Sequence, residues 1–353
     1  MKTESIVLNQ ARNVTLTAYL LDVGGEFGSV PKRPAMLILP GGGYSMCSDR
    51  EADPVAWPYL KAGFQVFILR YSVMKDAQWP NPLNDYEQAM EMIRSKAEEW
   101  NLYPDKVAVV GFSAGGHLAG CAATMAKNRP NAAVLGYAVL GADVKLCNPS
   151  APDAIEAVDE DTCPCFVFAT RNDGVVPINN STRFLTALAE KGIAFESHIY
   201  GYGPHGFSTG DSSVQGGENL CPRAAQWADD SIAWLREIFG DFSSGCLGAP
   251  KCRARVNDNN LPYYTVDCSF GHLISNPSVM GVLAPMMEEM RRRTADQFAD
   301  NPMASAEGGM NEGMAAAMHN MTLRDMLAFG RAPEEIVDGI DAQLRQIINP
   351  DRA

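Results

Sequence analysis

The stretch Val107-Ala108-Val109-Val110-Gly111-Phe112-Ser113-Ala114-Gly115-Gly116-His117-Leu118-Ala119 joins a valine-rich run to a helix-forming segment through G-x-S-x-G. This order predicts a strand, a tight turn and a helix, with Ser113 on the turn. Where the backbone folds so sharply, side chains two positions either side of the serine would clash with the neighbouring strand and helix, so glycine stands at 111 and 115. The serine is lifted above the sheet edge at a helix N-terminus. There the Ala114 N–H can point at an oxyanion, and the helix dipole favours negative charge. Alone the motif is weak, because a glycine-rich turn without chemistry gives the same letters. A strand over 106–110 and a helix over 113–125 supply the context it needs.

Composition bounds what surrounds this turn. The chain has 353 residues, 46% of them hydrophobic, enough for one large domain or for a domain of about 240 residues with a small appendage. The second fits the composition better. Residues 1–10 are polar and mixed in charge, and no apolar run reaches the length of a membrane span, so a cytoplasmic protein is expected. A formal net charge of −13 argues against a nucleic acid or an anionic membrane as partner and suits a neutral or cationic small substrate. The nine cysteines are scattered and odd in number, as expected of reduced core residues. Cys246, Cys252, Cys268 and His272 follow no usual zinc spacing, and no metal is expected.

Residues 4–8 and 14–21 alternate apolar and polar side chains and predict an antiparallel pair at the sheet edge. Residues 35–39 form a continuous apolar run, as for a strand buried on both faces, and lead into Pro40-Gly41-Gly42-Gly43-Tyr44. Three glycines after a buried strand let backbone amides turn toward a ligand, although a flexible loop would read the same. Then come a helix over 51–62, a strand over 65–70, a proline-containing loop through Trp79 and Pro82, and a helix over 85–100 with Asp85 as cap or first-turn acid. Strands follow at 132–140, 165–169 and 195–200, with helices at 178–191 and 223–238. The alternation predicts an α/β fold, a mostly parallel sheet with helices on both faces and ligands at the carboxyl ends of its strands.

At two of those ends stand Asn172-Asp173-Gly174-Val175-Val176-Pro177 and Gly203-Pro204-His205-Gly206. In isolation the first is a turn and the second a surface histidine. In the order Ser113, Asp173, His205, with room for one strand–helix–strand unit in each interval, they match the requirement of the α/β-hydrolase architecture.

Those motifs, together with PGGGY at 40–44, the Arg50-Glu51 and Trp57 region and Leu69-Arg70-Tyr71-Ser72, resemble bacterial α/β-hydrolases of the acetylxylan-esterase-like group, serine esterases that remove acetyl groups from carbohydrates. The resemblance covers residues 1–240. It implies Ser113 as nucleophile, His205 as base, Asp173 as orienting acid, and the amides of Gly42, Gly43 and Ala114 as oxyanion hole, with no cofactor. Tyr44, Tyr71, Trp79, Tyr202 and Phe207 lie on the same loops, where aromatic faces suit a sugar ring and equally suit packing. The chain departs from the family between 141 and 162, where a short acidic segment with Pro149 and Pro152 replaces a longer one. Its shortness and acidity predict a preference for acetyl over long acyl chains.

Beyond residue 240 the composition changes. Residues 242–262 read as a linker, 263–270 as a short strand, and 277–293, 323–329 and 333–348 as helices, with Thr322 and Asp325 as a cap pair and Pro333 in a first turn. Ten of the seventeen methionines fall between Met280 and Met326, in a loosely specified core or an adaptable surface. The expected organisation is a catalytic domain over 1–241, a linker over 242–262 and a mainly helical module over 263–353. The expected function is hydrolysis of short-chain, acetyl esters of carbohydrate, with a small-molecule ester as partner and homo-oligomerisation left open. The alternatives are a serine peptidase, whose prolyl type places a large gating domain before the catalytic sheet where 34 residues precede the strand at 35 here, and a binding protein on a hydrolase fold, expected to have lost the serine turn, the glycine loop, Asp173 or His205.

Overall fold

The computed structural model describes residues 1–242, 247–298, 318–350 and 352. The alternating segments at the start pair antiparallel as β1 (Lys2–Asn9) and β2 (Val14–Leu20), and every second residue of β2 is buried. The later strands are β3 (Arg33–Leu39), β4 (Gln65–Arg70), β5 (Leu102–Phe112), β6 (Ala132–Gly136), β7 (Cys165–Thr170) and β8 (Phe195–Tyr200). They form one eight-stranded sheet in the order β1-β2-β4-β3-β5-β6-β7-β8. β2 is antiparallel to both neighbours, and the pairs from β4 to β8 are all parallel.

The connecting helices are α1 (Asp53–Lys61), α2 (Asn81–Ser95), α3 (Ser113–Met125), α4 (Asn179–Glu190) and α5 (Trp227–Phe239). Alternate residues of the inner strands feed two cores. Leu37, Leu39, Val107, Val109 and Leu135 pack with Met90 of α2, Leu118 of α3 and Phe184 of α4. Met36, Ile38, Val110, Val134 and Phe168 face the other way and pack with Tyr59 of α1 and Trp227 of α5. Burial on both faces explains why these strands read as unbroken apolar runs.

Three elements up to residue 255 differ from expectation. Helix α2 begins at Asn81, with Pro82 in its first turn, so Asp85 is not its cap. Asp85 is fully buried and accepts hydrogen bonds from the Arg12 guanidinium and, at 2.8 Å, from the Ser72 N–H, pinning the chain after β4. The strand expected over 132–140 ends at Gly136, because Tyr137 turns the chain with a φ of 33°. The supposed linker is attached along part of its length. Phe242 is buried edge-on against Phe64, the amides of Lys251 and Cys252 donate to the Glu237 carbonyl, and the Ala194 amide donates to the Ala254 carbonyl. The chain accordingly divides into the units Met1–Arg255 and Val256–Ala353, rather than at 241.

The second unit has its own core of Tyr264, Val266, Leu273, Val279, Leu283, Leu323, Leu327 and Leu344. Its helices include Phe270–Ile274, Pro277–Phe298, Leu323–Phe329 and Glu334–Leu344. Residues 263–270 make only isolated bridges, Tyr263 to Ile348 and Ser269 to Thr322, in place of the expected strand. Thr322 caps its helix by accepting from the Asp325 N–H and donating to the Asp325 carboxylate at 2.6 Å, and Pro333 precedes the last helix as its cap. Met286 and Met287 pack on this core, and Met303, Met310 and Met314 lie outside the described residues.

Candidate active site

The turn between β5 and α3 is shaped by what cannot fit. A Cβ at Gly115 would lie 2.1 Å from the Leu39 carbonyl oxygen, and one at Gly111 2.2 Å from the Gly115 carbonyl oxygen, both backbone atoms of packed elements. Between them Ser113 takes a φ of 52°, a conformation that costs a non-glycine residue roughly 1–3 kcal/mol. Tyr44, Tyr137 and Ser208 also have positive φ, at 57°, 33° and 52°. All four stand at this end of the sheet, where packing overrides local preference.

The structure brings Ser113, Asp173 and His205 together. His205 Nε2 lies 2.9 Å from Ser113 Oγ, and Nδ1 lies 2.8 Å from Asp173 Oδ2. A carboxylate only accepts, so Nδ1 carries the proton and Nε2 of the neutral ring is free to accept from the serine. Asp173 has a 2% exposed side chain, and its other oxygen takes the amides of Val175 and Val176 at 2.8 and 2.9 Å. Burial pushes this carboxyl up, but the bonds from His205 and from the two amides outweigh it and hold the group below the usual carboxylate range. The edge of Tyr137 meets the His205 ring at 5.2 Å between centroids.

The glycine loop lies against this turn, for a Cβ at Gly41 would be 3.1 Å from the Ser113 Cβ. Its peptide planes are pinned in succession. The Pro40 carbonyl accepts from the Tyr71 hydroxyl at 2.6 Å, and the Gly41 N–H donates to Glu51 Oε2 at 2.7 Å. The Gly41 carbonyl accepts from the Ser48 N–H at 2.9 Å, and the Gly42 carbonyl from the Ser45 N–H at 3.0 Å. In a trans peptide the following N–H points opposite its carbonyl, so the Gly42 and Gly43 amides are turned away from those partners. Among the described residues, the amides of Gly42, Gly43 and Ala114 have no hydrogen-bond acceptor.

The aromatic residues divide. Tyr44 and Tyr71 are each 2% exposed, which removes them from any surface that could meet a sugar. They support the loop from beneath: Tyr71 through Pro40, and Tyr44 through a 2.7 Å bond to His117 Nδ1. His117 Nε2 lies 2.8 Å from the Pro152 carbonyl, so the proton sits on Nε2 and Nδ1 accepts from Tyr44. Burial lowers the pKa of this imidazole to about 4. Phe207 is also buried, packed on Tyr137. Trp79 is half-buried edge-on to His117, while Tyr202 is 55% exposed beside the His205 loop. The short segment over 141–162 is tied down through Asn148 to the Ala77 carbonyl, Ser150 to the Trp79 N–H and Asp159 to Arg129.

Glu51 and Tyr137 carry no role in the sequence reading. Glu51 opens the segment read as a helix over 51–62, where a solvated first-turn acid has the same letters; it is 3% exposed. Of the four possible metal-ligating residues, Cys246 lies outside the described residues, Cys252 donates to the Glu237 carboxylate, and Cys268 sits on Thr265. A groove of about 440 Å³ lined by Lys106, Asn131, Pro164, Phe239 and Arg253 lies at the amino ends of β5 to β7, opposite the end where such sheets bind ligands.

A solved structure of MGS-M1, an α/β hydrolase enzyme from a Medee basin deep-sea metagenome library, is 43% identical to this chain, covers 67% of it and 98% of its own length, and superposes with a TM-score of 0.64. The chain belongs to the α/β-hydrolase family. Within this α/β hydrolase the BD-FAE family model matches residues 22–145. Endo-1,4-beta-xylanase B of Butyrivibrio fibrisolvens is 31% identical over 222 residues, 53% of this chain and 35% of that protein. Acetylxylan esterase of Xylanibacter ruminicola is 29% identical over 205 residues, 51% of this chain and 42% of that protein. The chain thus spans less than half the length of these two curated relatives.

Proposed function

We propose that the protein is a serine carboxylic ester hydrolase that removes acetyl groups from O-acetylated carbohydrate. The observation that carries this reading is the continuous hydrogen-bonded line from Ser113 through His205 to Asp173, beside three amides without acceptors. His205 Nε2 takes the Ser113 proton as Oγ attacks the ester carbonyl. Asp173 keeps the ring in the correct tautomer and stabilises the imidazolium. The carbonyl oxygen, now negative, enters the space facing the amides of Gly42, Gly43 and Ala114, in the dipole of α3. The proton on Nε2 passes to the departing sugar hydroxyl, leaving acetyl on Ser113. Water then gives a proton to Nε2 as it attacks the acetyl carbonyl, and the proton passes to Ser113 Oγ as the acyl–serine bond breaks and acetic acid leaves.

The sugar acceptor is supported by the acetylxylan esterase relative and by Tyr202, an aromatic residue 55% exposed on the loop that carries His205. The acetyl preference is supported by the short, anchored segment over 141–162, which carries Asp143, Glu156 and an Asp159–Arg129 pair. A long acyl chain needs an apolar cleft, in which each buried methylene contributes about 0.8 kcal/mol. Eight described cysteines, all unpaired, support a cytoplasmic location, and among the described residues no helix is long and apolar enough to cross a membrane. The test compares turnover of aryl acetate, aryl octanoate, an acetylated xylooligosaccharide and a peptide anilide by one preparation. Acetate and acetylated sugar are expected to lead in kcat/KM, with the anilide inert. A higher value on octanoate would overturn the acetyl reading, and faster cleavage of the anilide would replace esterase with peptidase.

A further inference from the structure

The mechanism uses neither Glu51 nor Tyr137, yet both are buried against its working parts. Two donors converge on the Glu51 carboxylate: the Gly41 N–H at 2.7 Å on Oε2, and the Tyr137 hydroxyl at 2.6 Å on Oε1. The Tyr137 oxygen already accepts from the Ser208 N–H at 3.0 Å, so its single proton goes to Glu51. Ser208 in turn donates to the Arg50 carbonyl and accepts at its own carbonyl from Trp227 Nε1 at 2.9 Å. The line Gly41–Glu51–Tyr137–Ser208 therefore crosses from the glycine loop to the loop that carries His205, three residues before Ser208. Two successive members of the line, Tyr137 and Ser208, hold strained backbone, which persists only where the surroundings over-determine it.

The geometry points to Glu51 and Tyr137 as positioning residues: the Glu51 carboxylate fixes the amides that receive the oxyanion, and Tyr137 locks them in register with the imidazole. A carboxylate is required because it alone accepts at both oxygens. Glutamine has nearly the same shape but would turn an NH2 toward one of the two donors. The Pro40–Gly41 plane would then keep only the Tyr71 bond at its carbonyl, and the next two amides would be less firmly aimed. Such a change acts on the transition state, where the oxygen is charged, and spares ground-state binding.

This inference rests on the esterase reading, and the experiment separates the two. Wild type and Ser113→Ala are assayed first on aryl acetate; an inactive wild type, or an equally active Ser113→Ala, overturns the esterase reading itself before Glu51 is touched. Glu51→Gln and Tyr137→Phe are then measured for kcat, KM and inhibition by an alkyl boronic acid, which mimics the tetrahedral oxyanion adduct. Glu51→Gln is expected to lower kcat about 30-fold with KM within about twofold, and to weaken the boronic acid by a similar factor. Tyr137→Phe is expected to lose about fivefold, and the double variant less than the product of the two. A folded Glu51→Gln enzyme with unchanged kcat, or a loss confined to KM, overturns the proposal. Should Glu51→Gln not fold, Tyr137→Phe, which removes one hydroxyl, decides it by the same criteria.

Discussion

At the Ser113 turn the backbone is held by exclusion, since any side chain at 111 or 115 would collide with backbone oxygens about 2 Å away. At the facing loop, 40–44, Gly41 and Gly42 are excluded in the same way, by the Phe112 and Met46 carbonyl oxygens at 2.6 and 2.4 Å from a Cβ, and the backbone is held by attachment as well. Tyr71 and Glu51 hold the 40–41 peptide group, Ser48 the 41–42 group and Ser45 the 42–43 group, and Gly43 has nothing within 4 Å of where a Cβ would stand. Exclusion writes itself into the local sequence as obligatory glycines. Attachment recruits partners from elsewhere in the chain and leaves only ordinary letters behind.

The sharpest way to break this contrast is to add one methyl group to each region. Gly115→Ala places a carbon 2.1 Å from the Leu39 carbonyl, on a strand with neighbours on both sides, and is expected to cost more than about 4 kcal/mol or to prevent folding. Gly43→Ala meets open space and pays only for a φ of +61°, about 1–2 kcal/mol, with the fold retained. Urea unfolding of both variants measures the difference. Equal midpoints would show that crowding does not shape the Ser113 turn.

A smaller effect sharpens the attachment side. His117 is fully buried and holds Tyr44 only in its neutral form, with a folded pKa of about 4 against an ordinary value near 6.5. Its contribution is therefore complete above about pH 6.5, declines as pH falls through the window from there to about 4, and is gone below it, a loss on the order of 3 kcal/mol. His117→Gln, which can still donate to Pro152 and accept from Tyr44, should flatten stability across that window. Denaturant midpoints at closely spaced pH values test it, and an unchanged slope in His117→Gln would contradict the role. Asp173, whose pKa is lowered, adds a separate loss confined to acid below the ordinary carboxylate range.

The same distinction explains what could be read from the chain. The sheet was legible because burial on both faces leaves unbroken apolar runs, and the strand-end positions of Ser113, Asp173 and His205 were legible because Ser113 directly follows β5 and the other two lie on the loops that leave β7 and β8. Asp85 was misplaced because the partners that bury it, Arg12 and Ser72, come from other segments; a buried acid and a helix cap have the same sequence signature. Tyr44 and Tyr71 looked like substrate platforms because an aromatic residue in a glycine-rich loop does not announce whether its ring faces out or in. Residues 247–255 looked like linker because their attachments are backbone bonds to Glu237 and Ala194, which composition does not record. Glu51 was hidden for the reason that makes it interesting: its surroundings are built by three separate stretches of chain.

The central claim is that Ser113 is the acylated nucleophile. It is tested most directly by titrating the full chain with a fluorophosphonate reagent and mapping the modified residue by peptide mass analysis, with aryl-acetate turnover followed alongside. The expected result is one label per chain, on Ser113, with activity lost in proportion to labelling. Full activity in protein quantitatively labelled at Ser113, or complete inactivation with the label elsewhere and Ser113 unmodified, would contradict it.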